Sequence, residues 1–157
     1  MRLLVLFFFL IQTFQVFSTE LKLPDLYFSA NSLEYDSLAI AVFDKDAFSD
    51  IPKAHSDSII LFMHQIMKDN PTLVITITGH ASFDEEDQQK LSEKRSKKVF
   101  SELVKLGVNP KRLNMISYGD QRLILQPHEL NKCPEVKCTS AINRRVSFNV
   151  IGSDFKE

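Results

Sequence analysis

The amino-acid sequence predicts an α/β two-layer sandwich, in which two helices cover one face of a mixed sheet. The prediction follows from the order of the segments and from a general rule on how strands are connected. Segments with strand periodicity and segments with helical periodicity follow one another in the order β-α-β-α-β-β. Strands that are joined through a helix are normally parallel with right-handed crossovers, so consecutive crossovers place both helices on the same face.

Four segments have the composition and the alternation of β-strands. They are residues 38–43, 72–78, 113–118 and 146–150. The second is β-branched at nearly every position, apolar on both faces and closed by Gly79, which is typical of a central strand.

The two helical segments have clear boundary signals. The first opens at Pro52 and stops where Pro71 follows, because proline cannot continue a helix. The second is predicted to begin at a capping box formed by Ser82 and Glu85. It ends at Gly107, in the position after the last helical turn that favours glycine.

The N-terminus has the pattern of a secretory signal. Arg2 precedes an unbroken apolar run from Leu3 to Ile11, and a more polar stretch follows. We predict cleavage after Ser18. The alternative is an uncleaved membrane anchor, although about 20 apolar residues are needed to cross a bilayer. No cysteine follows the run directly, so we expect no lipid anchor on the mature chain.

The chain therefore divides into a signal peptide (1–18), a lead-in segment (19–35), one domain (36–151) and a C-terminal tail (152–157). Whether the lead-in packs on the domain or tethers it stays open. An exported protein is expected in the periplasm, and association with the outer membrane or the cell wall is compatible with that location.

Composition argues against several functions. The formal net charge is −1, whereas nucleic-acid binding needs a basic surface. The histidines show no metal-ligand spacing, and no glycine-rich phosphate loop or nucleophile elbow is present. We therefore expect no enzymatic activity, no metal, no cofactor and no nucleic-acid partner.

The two cysteines, Cys133 and Cys138, lie close together in the sequence. In an oxidising compartment such a pair usually forms a disulfide. A metal site would need further ligands, and His128 is the only nearby candidate. Free thiols are the remaining alternative.

Arg95 is the most informative single residue. It shares one helix face with Leu91 and Val99 at i, i+4 and i+8 spacing, so a guanidinium lies on an apolar stripe. One interpretation is an arginine whose stem packs while its head reaches solvent. The other is a recessed guanidinium that receives a carboxylate through a two-pronged contact. Periodicity leaves both open.

The loop from Gly79 to Asp87 leads into this helix. Backbone amides at a helix start favour anions. The acidic residues of the loop either complement the helix dipole or include a carboxylate, from Asp84 or Asp87, that receives a ligand ammonium beside Arg95. Ser82 is interpreted as the helix cap.

Several short motifs stand in the order of a known family. They are Gly79-His80, Leu91-Ser-Glu-Lys-Arg95-Ser-Lys-Lys-Val99, Leu106-Gly-Val108, Arg112-Leu113, Tyr118-Gly119 and Asn143-Arg-Arg-Val146. Together they resemble the C-terminal domain of outer-membrane protein A-like proteins, which is shared with peptidoglycan-associated lipoproteins and flagellar motor B proteins. Residues 43–46 are similar to the end of the family's first strand, and the match spans about residues 36–151. The cysteine pair resembles a variant common in Bacteroidota.

The resemblance implies a non-catalytic envelope protein that binds the peptidoglycan stem peptide non-covalently, through the ammonium and carboxylate of diaminopimelate. The site residues that it implies are Gly79, His80, Ser82, Asp84, Leu91 and Arg95. Arg95 matches the family arginine that takes the diaminopimelate carboxylate.

The chain also departs from the family pattern. Ser82 replaces the family aspartate, and the loop up to Arg95 is shorter, so Asp84 is the expected substitute. The alternative is a family fold that has lost peptidoglycan binding and serves as a protein-interaction module in an envelope complex.

Overall fold

A computed structural model of the chain describes residues 23–36, 56–132 and 140–156. Within these ranges it contains two α-helices, four β-strands and three short 3-10 helices. The strands are β1 (Leu26–Tyr27), β2 (Val74–Gly79), β3 (Leu113–Ser117) and β4 (Arg145–Gly152), and the α-helices are α1 (Ser56–Asp69) and α2 (Gln88–Lys105).

The strands form one mixed sheet in the order β1-β4-β2-β3. β2 and β3 are parallel because α2 connects them as a crossover, and their register runs from Ile75 opposite Leu113 to Gly79 opposite Ser117. β4 is antiparallel to both β2 and β1. The predicted α/β two-layer fold with a mixed sheet is confirmed.

The core lies between the helices and one face of the sheet. Alternation along β2 directs Ile75 and Ile77 into this core and directs Thr76 and Thr78 to the opposite face. Fully buried apolar side chains come from both helices and from three strands; they include Leu26, Phe28, Ile59, Met63, Met67, Ile75, Ile77, Val99, Leu103 and Val146. Burying each of the larger ones stabilises the fold by roughly 1.5–3 kcal/mol.

The segment assigned to the lead-in packs into the domain. Leu26 pairs with Val146 of β4, and the side chain of Phe28 is fully buried. The described part of the lead-in, from Leu23, therefore packs on the domain and contributes to its core. A strand of two residues is too short to show a period, which is why the sequence did not reveal it.

The predicted start of α2 is wrong. The helix begins at Gln88, after Asp87 in the left-handed region (φ 46°), and Asp87 makes no capping hydrogen bond with its side chain. Ser82 and Glu85 form a separate turn instead, in which the Ser82 amide donates to the Glu85 carboxylate. That carboxylate turns inward to Arg95, and the chain does not continue as helix from this point.

The predicted helix ends are correct. α1 ends at Asp69, before Asn70 and Pro71, and α2 is followed by Gly107 at φ 99°. The Val108 amide donates to the carbonyl of Leu103, which closes the turn that glycine permits. Among the described residues, no helix combines the length and the apolar character needed to cross a membrane.

Four predictions lie outside the described residues. They are the signal peptide (1–18), the strand at 38–43, the helix start at Pro52 and the disulfide of Cys133 with Cys138.

Candidate functional site

Arg95 lies at the centre of the candidate site, on the face of α2 that packs against the domain. Its side chain has no exposed surface. Val99, on the same stripe, is fully buried, and Leu91 is half-buried. The recessed guanidinium is therefore the correct interpretation, and the arginine does not reach solvent.

The partner of Arg95 is Glu85, which the sequence had assigned to a helix cap. The two side chains form a bidentate pair, with Nη1 2.8 Å from Oε2 and Nη2 2.6 Å from Oε1. The Glu85 side chain is only 1% exposed. Parallel N–H···O bonds of this kind are the strongest arrangement that an arginine makes with a carboxylate.

Two backbone amides complete the surroundings of the carboxylate. Asn31 N–H donates to Oε1 at 2.9 Å, and Ser82 N–H donates to Oε2 at 2.9 Å. The carboxylate thus accepts four hydrogen bonds, two from a guanidinium and two from amides. A buried charge is tolerated when it is paired and hydrogen-bonded in this way.

The remaining N–H groups of Arg95 donate to backbone carbonyls. These belong to Ser29 and Ser32 in the turn after β1 and to His80 after β2. All five N–H groups of the guanidinium are consequently satisfied. The guanidinium also lies 5.1 Å from the ring centroid of Phe28.

Asn31 connects the turn after β1 to the loop before α2, next to the Arg95–Glu85 pair. Its backbone is left-handed (φ 49°), its amide contacts Glu85, and its side-chain oxygen accepts from the Glu86 amide at 2.8 Å. Asn31 also lines a shallow surface depression of about 180 Å³ with five residues of the loop and of α2: Glu86, Asp87, Lys90, Leu91 and Lys94. The depression offers both signs of charge beside the buried pair.

The other predicted residues take different positions. Gly79 packs against α2 so closely that an added Cβ would lie 2.1 Å from the Ser92 carbonyl oxygen, so its role is steric. Ser82 is buried and contributes its amide to the Glu85 carboxylate. His80 offers its carbonyl to Arg95, while its ring lies in a groove on the sheet face away from the helices.

Asp84 does not contact Arg95 and instead accepts a hydrogen bond from the Ser140 hydroxyl at 2.7 Å. Burial acts to raise the pKa of Asp84, but the nearby Ser82 side chain, the hydrogen bond from the Ser140 hydroxyl and the positive charge of Arg144 outweigh it and lower the pKa. The structure therefore brings Glu85 to the arginine, not the expected Asp84.

The described residues contain no cluster of three or more His, Cys, Asp or Glu side chains that could hold a metal ion. The fold and the site together define a small mixed-sheet α/β domain built around a buried carboxylate–guanidinium pair.

The model of the OmpA family matches residues 42–134, more than half of the chain. The chain belongs to the OmpA family. A comparison with curated proteins gives no match.

Solved structures share the fold at low sequence identity. The peptidoglycan-associated lipoprotein from Burkholderia pseudomallei has a TM-score of 0.58 and 18% identity, and the alignment covers 82% of this chain and 90% of that one. The periplasmic domain of Helicobacter pylori MotB has a TM-score of 0.53 and 18% identity, with coverage of 78% and 65%. The OmpA-like domain of FopA1 from Francisella tularensis has a TM-score of 0.50 and 18% identity, with coverage of 82% and 74%. The predicted family resemblance is confirmed.

Proposed function

We propose that this protein is a non-catalytic component of the bacterial cell envelope that associates non-covalently with peptidoglycan. Membership of the OmpA family supports the proposal, as does the shared fold with a peptidoglycan-associated lipoprotein. The observation that carries the finer proposal is the bidentate pair of Arg95 and Glu85.

Arg95 and Glu85 have the chemistry of a receptor for a zwitterion. The free end of diaminopimelate bears an ammonium and a carboxylate on one carbon. Its carboxylate would take the place of Glu85 on the Arg95 guanidinium and on the amides of Asn31 and Ser82. The released Glu85 carboxylate would then receive the ammonium. Without ligand the two protein charges neutralise each other.

This arrangement accounts for the departure of the chain from the family pattern. Ser82 stands where the family has an aspartate, and Glu85 supplies a carboxylate to the same arginine from three residues further along the loop. The surface depression lined by Asn31 and Leu91 lies beside the pair and offers space for the rest of the ligand. Glu85 thus replaces Asp84 as our candidate for the anionic anchor.

Sedimentation with purified sacculi tests the proposal. Wild-type protein should pellet with diaminopimelate-type sacculi and stay in the supernatant with lysine-type sacculi, whose stem peptide presents an amine without the carboxylate. Glu85→Gln and Arg95→Lys should reduce the pelleted fraction, because one removes the anion and the other removes the two-pronged donor.

Glu93→Gln is the matched control for that experiment, since Glu93 is exposed on α2 away from the pair. It should pellet like wild type. Circular dichroism establishes that each variant is folded. Equal pelleting of the wild type with both kinds of sacculi would contradict recognition of the zwitterion, and this comparison needs no variant to fold.

A second candidate function is a protein-interaction module that has lost peptidoglycan binding. Complete burial of Arg95, with all five N–H groups satisfied, favours it. In that case the pair is a structural clip between the turn after β1 and α2. Wild-type protein would then remain in the supernatant with both kinds of sacculi.

Export to the periplasm is part of the same proposal, and it implies a signal peptide cleaved after Ser18 and a disulfide between Cys133 and Cys138. Mass spectrometry of protein prepared from the periplasm should show an N-terminus at Thr19. Thiol titration of the denatured protein should find no reactive thiol. Two reactive thiols would refute the disulfide.

A further inference from the structure

The face of the sheet that points away from the helices carries a groove of about 390 Å³. We call it the open-face groove. Its walls come from alternate positions of β2 and β4, from the end of β3 and from the segment that follows β3. Its ionisable or ring-bearing lining residues are His80, Tyr118, Arg122 and Arg145. None of these groups takes part in the Arg95–Glu85 pair through its side chain.

Arg145 is a buried guanidinium whose hydrogen bonds are incomplete. Its side chain is 9% exposed, and its Nε lies 3.5 Å from the Asp25 carboxylate. Nη2 donates to the Arg122 carbonyl over a long 3.4 Å. Nη1 is buried and has no hydrogen-bond partner among the described residues. Burial lowers the pKa of Arg145, and the nearby Asp25 opposes this effect. A charged donor that is buried without a partner indicates a missing acceptor.

Arg122 brings a second guanidinium to the groove. It lies 3.8 Å from the ring centroid of Tyr118, and Tyr118 in turn stacks on His80 with ring centroids 5.8 Å apart. Arg122 itself is exposed. The stacked rings therefore hold an accessible cation at the mouth of the groove.

His80 adds polar atoms to the groove but no charge. Its Nε2 lies 3.3 Å from the Ser147 hydroxyl, and its buried Nδ1 has no partner among the described residues. Burial, reinforced by the positive charges of Arg145 and Arg122, lowers the pKa of His80 to about 3. Among the described residues, the two arginines of the groove face one carboxylate, that of Asp25 beside Arg145, which leaves one net positive charge and matches a monoanion.

Apolar side chains flank these polar groups. Ile116 of β3 and Ile151 of β4 line the same groove and are 41% and 56% exposed. A ligand that fits would present one negative charge together with an apolar body.

We propose that the open-face groove binds the terminal carboxylate of a peptide chain whose last side chain is apolar. The carboxylate accepts hydrogen bonds from Nη1 of Arg145 and from the Arg122 guanidinium, and the side chain contacts Ile116 and Ile151. A chain terminus fits better than inorganic phosphate, because a dianion would exceed the single net charge and would leave the isoleucines uncovered. This proposal does not depend on peptidoglycan binding at Arg95.

Titration calorimetry with three probes tests the assignment. The probes are N-acetyl-alanyl-leucine with a free carboxylate, the same dipeptide as its C-terminal amide, and inorganic phosphate. The free acid should bind, and the amide should bind at least about tenfold more weakly because it lacks the charge-assisted bonds. Phosphate should bind more weakly than the acid.

Arg122→Gln is the informative variant, since Arg122 is exposed and its loss leaves the core intact. It should weaken binding of the acid at least about tenfold through loss of one charged donor. Lys111→Gln removes an exposed cation outside the groove and should leave binding unchanged. The proposal is overturned if the acid does not bind, if acid and amide bind equally, if phosphate binds more tightly than the acid, or if Arg122→Gln binds like wild type.

Discussion

Arg95 and Arg145 are both buried arginines on opposite faces of one sheet, and they differ in how completely their hydrogen bonds are made. Arg95 has a bidentate carboxylate at 2.6 and 2.8 Å and carbonyl acceptors for its other N–H groups. Arg145 has a more distant carboxylate at 3.5 Å and a buried Nη1 that has no partner in the part of the chain that the structure describes. The first guanidinium must exchange a partner in order to bind a ligand, whereas the second has a donor available.

This difference has an energetic consequence. Displacing Glu85 requires a ligand whose carboxylate accepts from Arg95 and from the amides of Asn31 and Ser82, and whose ammonium pairs with the released Glu85. Selectivity at Arg95 should therefore be high, and affinity for a simple anion should be low. A monoanion at Arg145 would supply the acceptor that Nη1 lacks among the described residues, and Arg145 would not have to give up a bidentate carboxylate. The helix-side site should therefore discriminate, and the open-face groove should accept a wider set of carboxylates.

The largest predicted effect is on the stability of the Glu85→Ala variant. Removing the carboxylate leaves the Arg95 charge buried without a counter-ion, and the free energy of unfolding should fall by about 3–5 kcal/mol. Urea denaturation followed by circular dichroism measures this change. Glu93→Ala, an exposed position on the same helix, should change it by less than about 0.5 kcal/mol. Equal midpoints for the two variants would show that the pair is not buried as described.

A smaller effect is expected from His80, a residue of the open-face groove, on the pH dependence of the free energy of unfolding. The pKa of His80 is about 3 in the folded protein and 6.5 in its ordinary state, so between these values the unfolded chain binds the proton. Stability should therefore be lost as the pH falls below about 6.5, by up to about 1.4 kcal/mol per pH unit from this residue. His80→Gln removes this contribution.

The measurement is urea denaturation of wild type and His80→Gln between about pH 7 and pH 4.5. In this range the His80 side chain takes up a proton in the unfolded chain but not in the folded protein. The wild type should lose stability more steeply than the variant as the pH falls. Carboxylates such as Asp84 are common to both proteins, so the difference in slope belongs to His80. Parallel curves would contradict a buried, neutral imidazole.

The smallest predicted effect is that of Arg145→Met. The arginine is desolvated and weakly paired, and its removal leaves Asp25 at a position where the side chain is 21% exposed. The free energy of unfolding should fall by less than about 1.5 kcal/mol, because the partly exposed Asp25 carboxylate remains in contact with water after its partner is removed. Arg95→Met leaves the Glu85 carboxylate, which is 1% exposed, buried without its cation. This variant should lose several times more free energy of unfolding in the same denaturation assay. A larger loss for Arg145→Met would reverse the comparison.

The parts of the fold that the sequence predicted are those with long local patterns. The β-branched run of 72–78 became the central strand β2, and Gly107 ends α2 as its position indicated. Arg112, a residue of a family motif, is explained by packing, since its guanidinium donates to the carbonyls of Met67 and Leu73 and ties the end of α1 to the start of β3.

The parts that the sequence did not predict depend on contacts between distant segments. Glu85 stands three residues after Ser82. This spacing is compatible with a helix cap and equally with a turn in which the carboxylate points into the domain. Arg95 decides between these outcomes, because a buried guanidinium needs a counter-ion and Glu85 can reach it. Asn31 contributes from a turn far away in the chain, which no local pattern reveals. The signals that pointed to this region were Arg95 on the apolar stripe of α2 and the Ser82–Glu85 spacing before that helix.

The most direct test of the two arginine sites is a side-chain NMR titration that observes the Nε–H groups of Arg95 and Arg145 in one sample. Addition of a disaccharide–tripeptide ending in diaminopimelate should shift the Arg95 signal and leave Arg145 in place. Addition of N-acetyl-alanyl-leucine should shift Arg145 and leave Arg95 in place. An Arg95 signal that does not move at saturating diaminopimelate tripeptide would contradict the receptor role of the Arg95–Glu85 pair.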